Sequence, residues 1–457
     1  MPGPAAELSY RDRVADVPDP HVHSHGHSHA HGHGFLSGWE GWRGDRFLVS
    51  IVAAVAALAV LTVIGAVLLW PDGSGQQAIA DTADEVGFVS ERVTAEVTQV
   101  VDARCAFSSV DDPSICRTFT LELTSGDNVG STISLPEFSL EFAQNVPPLD
   151  VGDAVVLGYE PTTDTYSYLD QDRRTSLVVL TVLFAIVVVA LGRLRGLLAL
   201  AGMAITVVVL VSFIAPAVLD GHDPVAVAVV GASFIAFVSL YLTHGISPTT
   251  SVALVSTLGA LGITLILSQI FFSLAGFTGL SSEEALVLPL LSAEIDLADL
   301  LLGGAILGAL GALDDVTVTQ VATVTEIHRQ RPDLATGALF SSGVRVGREH
   351  IASTVNTLLL AYAGAGIPLI LLFAASDQSL SLVANSEVIA IEIVRTMCGS
   401  IGLVAAVPIA TGLAALVSRG RSGFPSPHPS PDAPPPPDDP SWDDFAPDGE
   451  FWDRRRR

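Results

Sequence analysis

Ser176-Leu-Val-Val-Leu-Thr-Val-Leu-Phe-Ala-Ile-Val-Val-Val-Ala-Leu191 is an apolar run without a single charge. Water is absent from the bilayer core, so a run of this kind must satisfy its own backbone, and a helix does so within one segment. A crossing takes roughly 20 such residues. Towards the C-terminus further runs follow at short intervals: Leu197–Leu219, Val225–Thr243, Ser251–Ala275, Leu300–Leu313, Ile351–Ala374 and Val388–Val417. Before the quoted stretch lies one more, Phe47–Trp70. It is too long for the apolar core of a signal peptide, about 7–15 residues, and reads as an uncleaved anchor.

Residues 71–175 differ in kind. Short β-rich runs, Val93–Val101, Thr118–Leu123, Val129–Leu135 and Ala154–Tyr159, alternate with Pro136, Pro147-Pro148, Gly126-Asp127 and Gly152-Asp153. This pattern predicts a small β-barrel or sandwich. The chain is therefore read as mostly α: a polytopic helical membrane protein with about eight transmembrane helices and a small extracytoplasmic β domain between the first and second. Its parts are a cytoplasmic disordered His-rich tail (1–46), an anchor (47–70), the β-rich domain (71–175), a seven-helix membrane domain (176–418) and a cytoplasmic disordered Pro/Asp-rich tail (419–457).

Arginines orient it. Arg43 and Arg46 precede the first run; Arg193 and Arg195, then Arg329, Arg331, Arg345 and Arg348, then Arg419 and Arg421 mark later links. The positive-inside rule places these in the cytoplasm, so the expectation is a cell-membrane protein with both termini cytoplasmic. The 48 Asp and Glu exceed the 22 basic residues, giving a net charge of −26. That balance excludes nucleic acid as a partner, because phosphate binding needs basic patches. No lysine is present, which excludes a Walker A ATPase and Schiff-base chemistry. No Ser/His/Asp motif, His-Glu-x-x-His or CxxC is recognisable, so an enzyme is not expected.

Polar residues inside apolar runs are costly and are usually used. Asp314 and Asp315 close the run Leu300–Leu313, at its inner end; they are candidates for a cation or proton site, or are solvated at the interface. Gly304 and Gly308 form a small-xxx-small face expected to let another helix approach closely. Asn356 and Thr357 enter the next run as helix-to-helix hydrogen-bonding groups or as path-lining residues, and Gly364 with Pro368 should loosen that helix. Glu392 and Arg395 are three apart on one face and should pair. His21, His23, His25, His27, His29, His31 and His33 stand at every second position, a spacing that suits weak, fluxional divalent-metal binding and no ordered tetrahedral site. Cys105 and Cys116 are disulfide candidates outside the cytoplasm. The lipid bilayer is the certain partner, a small ion or solute a possible one, and an oligomer is open; no cofactor is implied beyond metal on the His tract.

Three blocks resemble the YibE/F-like family of multipass membrane proteins. They are Gly308-Ala-Leu-Gly-Ala-Leu-Asp-Asp-Val-Thr-Val-Thr-Gln320, Val346-Gly-Arg-Glu-His-Ile-Ala-Ser-Thr-Val-Asn-Thr-Leu-Leu-Leu-Ala-Tyr-Ala-Gly364, and Glu392-Ile-Val-Arg-Thr-Met-Cys-Gly-Ser-Ile-Gly402 with Pro408. The resemblance covers about Val178 to Leu416. It departs in two places: two acids precede Val316 where the family pattern has one, and Glu349 follows Arg348 where Asp is expected. If Asp314 is the added acid, Asp315 is the one that matters. The resemblance implies a permease-like membrane protein without a stated cargo; the rival expectation is a non-transporting sensor or scaffold that uses the β domain.

Overall fold

The computed structural model describes residues 46–79, 91–106, 108, 114–141, 146–161, 163–281, 285–288, 295–375 and 379–419. The His tract and the Pro/Asp-rich tail lie outside the described residues, so the readings made on them stay as expectations.

Among the described residues six helical stretches are long and apolar enough to cross a membrane. They are α1 (Arg46–Leu68), α2 (Arg174–Leu219), α3 (Pro224–His244), α4 (Pro248–Ala275), α5 (Leu297–Gln330) and α9 (Glu387–Arg419). Three further helices, α6 (Thr336–Ala365), α7 (Ile367–Ala375) and α8 (Leu380–Asn385), lie between α5 and α9.

Two differences from the eight expected runs have physical causes. The second and third runs share α2, which is 46 residues long. Within it Arg193 leaves the helical region, at φ 53 and ψ −130. A Cβ on Gly196 would lie 2.3 Å from the Val188 carbonyl oxygen. In a straight helix residues eight apart are ~12 Å apart along the axis, so the chain bends back sharply at Arg193, and only glycine fits at 196. The seventh run is divided: α6 ends at Ala365, Gly366 forms the turn, and α7 takes Pro368 in its first turn, where a missing N–H costs nothing.

The sixth run belongs to a longer helix. It does not stop at Leu313 but continues as a 34-residue helix, α5. Asp296 caps it, accepting from the backbone N–H groups of Ala298 (2.9 Å) and Asp299 (3.1 Å). Arg331-Pro332 ends it, since a residue before proline is pushed out of the α region.

The β part is one antiparallel sheet rather than a closed barrel or sandwich. Its strands are β1 (Glu91–Arg104), β2 (Ile115–Leu123), β3 (Thr132–Ser134), β4 (Phe138–Ser139), β5 (Ala154–Glu160) and β6 (Thr165–Gln171). The order is β3-β2-β1-β5-β6, with β4 also on β2. Val93, Ala95, Val97, Phe119, Leu121, Leu123, Val155 and Leu157 alternate inward and form a core of their own. β6 was missed in the sequence because its Tyr166, Tyr168 and Leu169 sit among polar residues at a sheet edge. Cys105 and Cys116 are joined as a disulfide.

Two of the links between helices are pinned by carboxylates. Asp220, after α2, accepts from the backbone N–H groups of Asp72 (2.7 Å), Gly73 (2.9 Å) and Gly75 (2.8 Å), just beyond α1. Glu387, at the start of α9, accepts from the N–H groups of Thr278 and Gly279, both at 2.8 Å, just beyond α4. The ends of α1 and α2 thus lie on one side of the helical bundle.

Candidate functional site

Helix α1 serves as a depth gauge, because it carries no charge between Arg46 and Asp72. Near its start Leu48 and Ile51 share a buried cluster with Val321 and Val324 of α5. Near its end Gly65 meets α3, where a Cβ would touch Val230 at 2.6 Å. Six residues outward on α3, the Pro224 carbonyl is 3.0 Å from where a Cβ on Gly303 of α5 would stand. Residues 303 and 321–324 of α5 therefore sit level with the two ends of an apolar span. Asp314 and Asp315 fall between them, near the midpoint of α5 and not at its inner end.

The two acids face differently. Asp315 is exposed on the side of α5 that also carries the exposed Gly304, Gly308 and Gly311. Asp314 is partly buried, and its Oδ1 is buried without a hydrogen-bond partner among the described residues. The opposite side of α5, with Leu302, Ile306 and Leu313, enters the core. The close approach expected of Gly304 and Gly308 is made instead by Gly303, where a Cβ would come 3.1 Å from the Ala228 Cβ. Gly304 has another use: the Arg395 Nη2 is 4.0 Å from the position of its missing Cβ, so glycine leaves room for the guanidinium.

Arg395 pairs with Glu392 as expected, its Nη1 donating to Oε1 at 3.1 Å. Its Nε is buried with no acceptor among the described residues. The pair lies about ten residues outward of the acids, ~15 Å along the helix.

Below the acids lies a residue that sequence reasoning passed over except as the end of a family block. Gln320 is 1% exposed. Its Nε2 donates to the Gly343 carbonyl of α6 (2.8 Å) and to Thr411 Oγ1 of α9 (2.7 Å). Its Oε1 is buried without a partner. Gly347 makes this possible, since a Cβ there would lie 2.8 Å from Oε1 and 2.4 Å from Val407 Cγ1. One turn above, Thr317 and Thr257 of α4 share a hydroxyl hydrogen bond in the interior. The available signal was spacing: Ile306, Leu313 and Gln320 recur every seven residues on the core side.

Other candidates stand apart. Asn356 is exposed on α6, and Thr354 and Thr357 bond back to the carbonyls of His350 and Ser353 in their own helix, so these hydroxyls do not link helices. Gly364 is exposed two residues before the break at Gly366. Cys105, Cys116 and Glu137 bring potential ligand atoms within 4.8 Å of one another. The two sulfurs are bonded to each other, however, and Glu137 Oε2 accepts from the Ala106 N–H at 2.8 Å, so the set does not suit a metal.

Asp314 and Asp315 bring a buried acceptor oxygen without a donor and a second carboxylate to the same depth, and Gln320 Oε1, another buried acceptor without a donor, lies six residues, ~9 Å, further along α5. A proton or small cation is what such groups lack; an anion would be repelled. No curated protein and no solved structure matches the chain. Residues 180–420 match the family model described as YibE/F-like protein.

Proposed function

The chain belongs to the YibE/F-like family, and on that premise we propose that it is a secondary transporter or permease whose cargo or coupling ion is a cation. The observation that carries this reading is the Asp314-Asp315 pair halfway along α5, with an unsatisfied buried oxygen on Asp314. A carboxylate at that depth costs several kcal/mol unless it is neutralised or used. Asp315 takes the ion from the exposed side of α5, Asp314 provides an inner oxygen, and Gln320 stands ~9 Å further along the same helix as a separate buried acceptor. Glu392 and Arg395 form a charge pair nearer the outer face that sets how α9 lies against α5. A divalent metal is the most concrete cargo, supported by the carboxylates and by the His tract as a cytoplasmic collector.

In this reading the two arms of α2 cross separately at the Arg193 bend, and α6 with α7 makes one further crossing. That gives eight crossings with both termini in the cytoplasm of a cell-membrane protein, and no catalytic step. A second reading, a sensor without transport, is favoured by one observation. The sheet carries a cavity of about 470 Å³ lined by Pro136, Phe138, Val146, Pro147, Pro148, Ser167 and Tyr168.

The test is ion uptake into proteoliposomes exposed to a mixed-cation panel, with and without a pH gradient. Accumulation of one cation by the wild type, lost in Asp315→Asn, is the expected result. Full activity of folded Asp315→Asn would remove the site, and no uptake by folded wild type would favour the sensor.

A further inference from the structure

Helix α6 begins inside and climbs beside α5 and α9. Its buried positions are Leu339, Gly343 and Gly347. Leu339 shares the cluster of Leu48 and Ile51 at the inner end of α1. Counting up from Leu339 at 1.5 Å per residue, Arg345 is ~9 Å deeper, Glu349 ~15 Å and Asn356 ~25 Å. The hydrocarbon core is about 30 Å thick.

Arg345, Arg348, Glu349, His350, Ser353 and Asn356 are all exposed. Among the described residues none of the four ionisable side chains forms an ion pair or hydrogen bond. On the neighbouring helix Asp315 is exposed at a similar depth, beside Gly304, Gly308 and Gly311. A row of unpaired charges cannot face lipid tails, since each costs at least about 2.5–3.5 kcal/mol there. The middle of the first arm of α2, by contrast, exposes mostly apolar side chains, among them Leu177, Val178, Leu180, Leu183 and Ile186, with its arginines only at the two ends, as lipid requires.

We propose that the charged face of α6 and the glycine-rich face of α5 are covered by the same faces of a second copy of this chain, so that the protein is a homodimer in the membrane. Charge complementarity points to a second copy. The face carries both signs, Arg345 and Arg348 with Glu349 and Asp315, and a two-fold axis along the membrane normal brings equal depths together, so that Arg348 of one copy and Glu349 of the other, one residue apart in height, face each other in both directions. The exposed glycines permit close backbone approach. The proposal uses the membrane placement above but not transport: a dimer without flux would count against the permease alone, and a transporting monomer against the dimer alone.

The test places full-length protein in nanodiscs, with Val346→Cys, Ser353→Cys or Asn356→Cys introduced singly and oxidised with copper phenanthroline. The native free thiol, Cys398, is buried, so wild type is the background, and Leu183→Cys on α2 is the lipid-facing control. Covalent dimers at one or more α6 positions, and none for the control, are expected. Single-molecule counting should find two chains per particle, reduced about tenfold in dimer fraction by Arg348→Glu and restored when Glu349→Arg is added. Single chains in wild-type particles would overturn the proposal. So would labelling of the α6 cysteines by a membrane-impermeant maleimide from the cytoplasmic side without crosslinking, which would make the face a water-filled vestibule.

Discussion

Gln320 and Asp314 each keep an oxygen in the interior with nothing to accept from. An unmet buried acceptor costs about 1–3 kcal/mol, so both groups would be replaced by apolar residues if packing alone mattered. Gln320→Leu removes the orphan and keeps the volume. It also removes the two hydrogen bonds to Gly343 and Thr411, so stability in detergent should fall by about 1–3 kcal/mol while cation flux falls by at least tenfold; the same loss of stability with flux preserved would make Gln320 a structural link only. At this scale the sequence was partly legible. Asp314, Asp315, Glu392 and Arg395 stood out because charge is rare in apolar runs. Gln320, uncharged and beside a row of threonines, did not, and its importance comes from Gly343 and Gly347, which are distant in sequence and became meaningful only when α6 was laid against α5.

For the helices, the length of α5 was only half legible. Charged residues usually mark the end of an apolar run, so the sequence leaves open whether the helix continues past Asp314-Asp315; the structure carries it on to Gln330 because Val316, Thr317, Val321 and Val324 continue the buried side. Helix-to-helix contacts were the least legible, since they rest on what a glycine lacks. A Cβ on Gly402 of α9 would lie 1.9 Å from Thr264 Oγ1 of α4. Gly402→Val should therefore lower stability by about 1–3 kcal/mol through overpacking, with Thr264→Ala restoring part of it in a thermal-shift assay. The bend in α2 makes a parallel case. With the Val188 carbonyl 2.3 Å from a Cβ at 196, Gly196→Leu should reduce the yield of folded protein far more than Gly192→Leu, whose Cβ meets nothing within 4 Å.

Across the whole molecule, the acid-rich sheet and the apolar bundle are held by different forces, and the sheet responds to redox state and acid. The disulfide closes a loop with a sequence separation of 11, which constrains the unfolded chain by roughly 3 kcal/mol. Cys105→Ser with Cys116→Ser should lower the melting of the sheet by several degrees and leave the helical signal of the bundle unmoved in circular dichroism. Near the junction, the hydrogen bonds from the Arg174 guanidinium and backbone N–H hold Asp172 down from the ordinary 3.8 to about 2. A depressed carboxylate stabilises the fold fully above its ordinary value and loses that contribution as pH falls through about 2. The Asp172 carboxyl signal in NMR should be flat from pH 7 to pH 4, and Arg174→Gln should return its midpoint towards the ordinary value.

The clasp at Asp220 bears on how force moves through the protein. One end of the sheet segment is gripped there, by three backbone N–H groups. At the other end β6 stops at Gln171 and α2 starts at Arg174, leaving too little chain to act as slack. The sheet is thus mounted like a lever on the outer end of α2. Whatever tugs or tilts it delivers that motion to the helix that follows, and the bend at Arg193 is the first place along that helix able to yield.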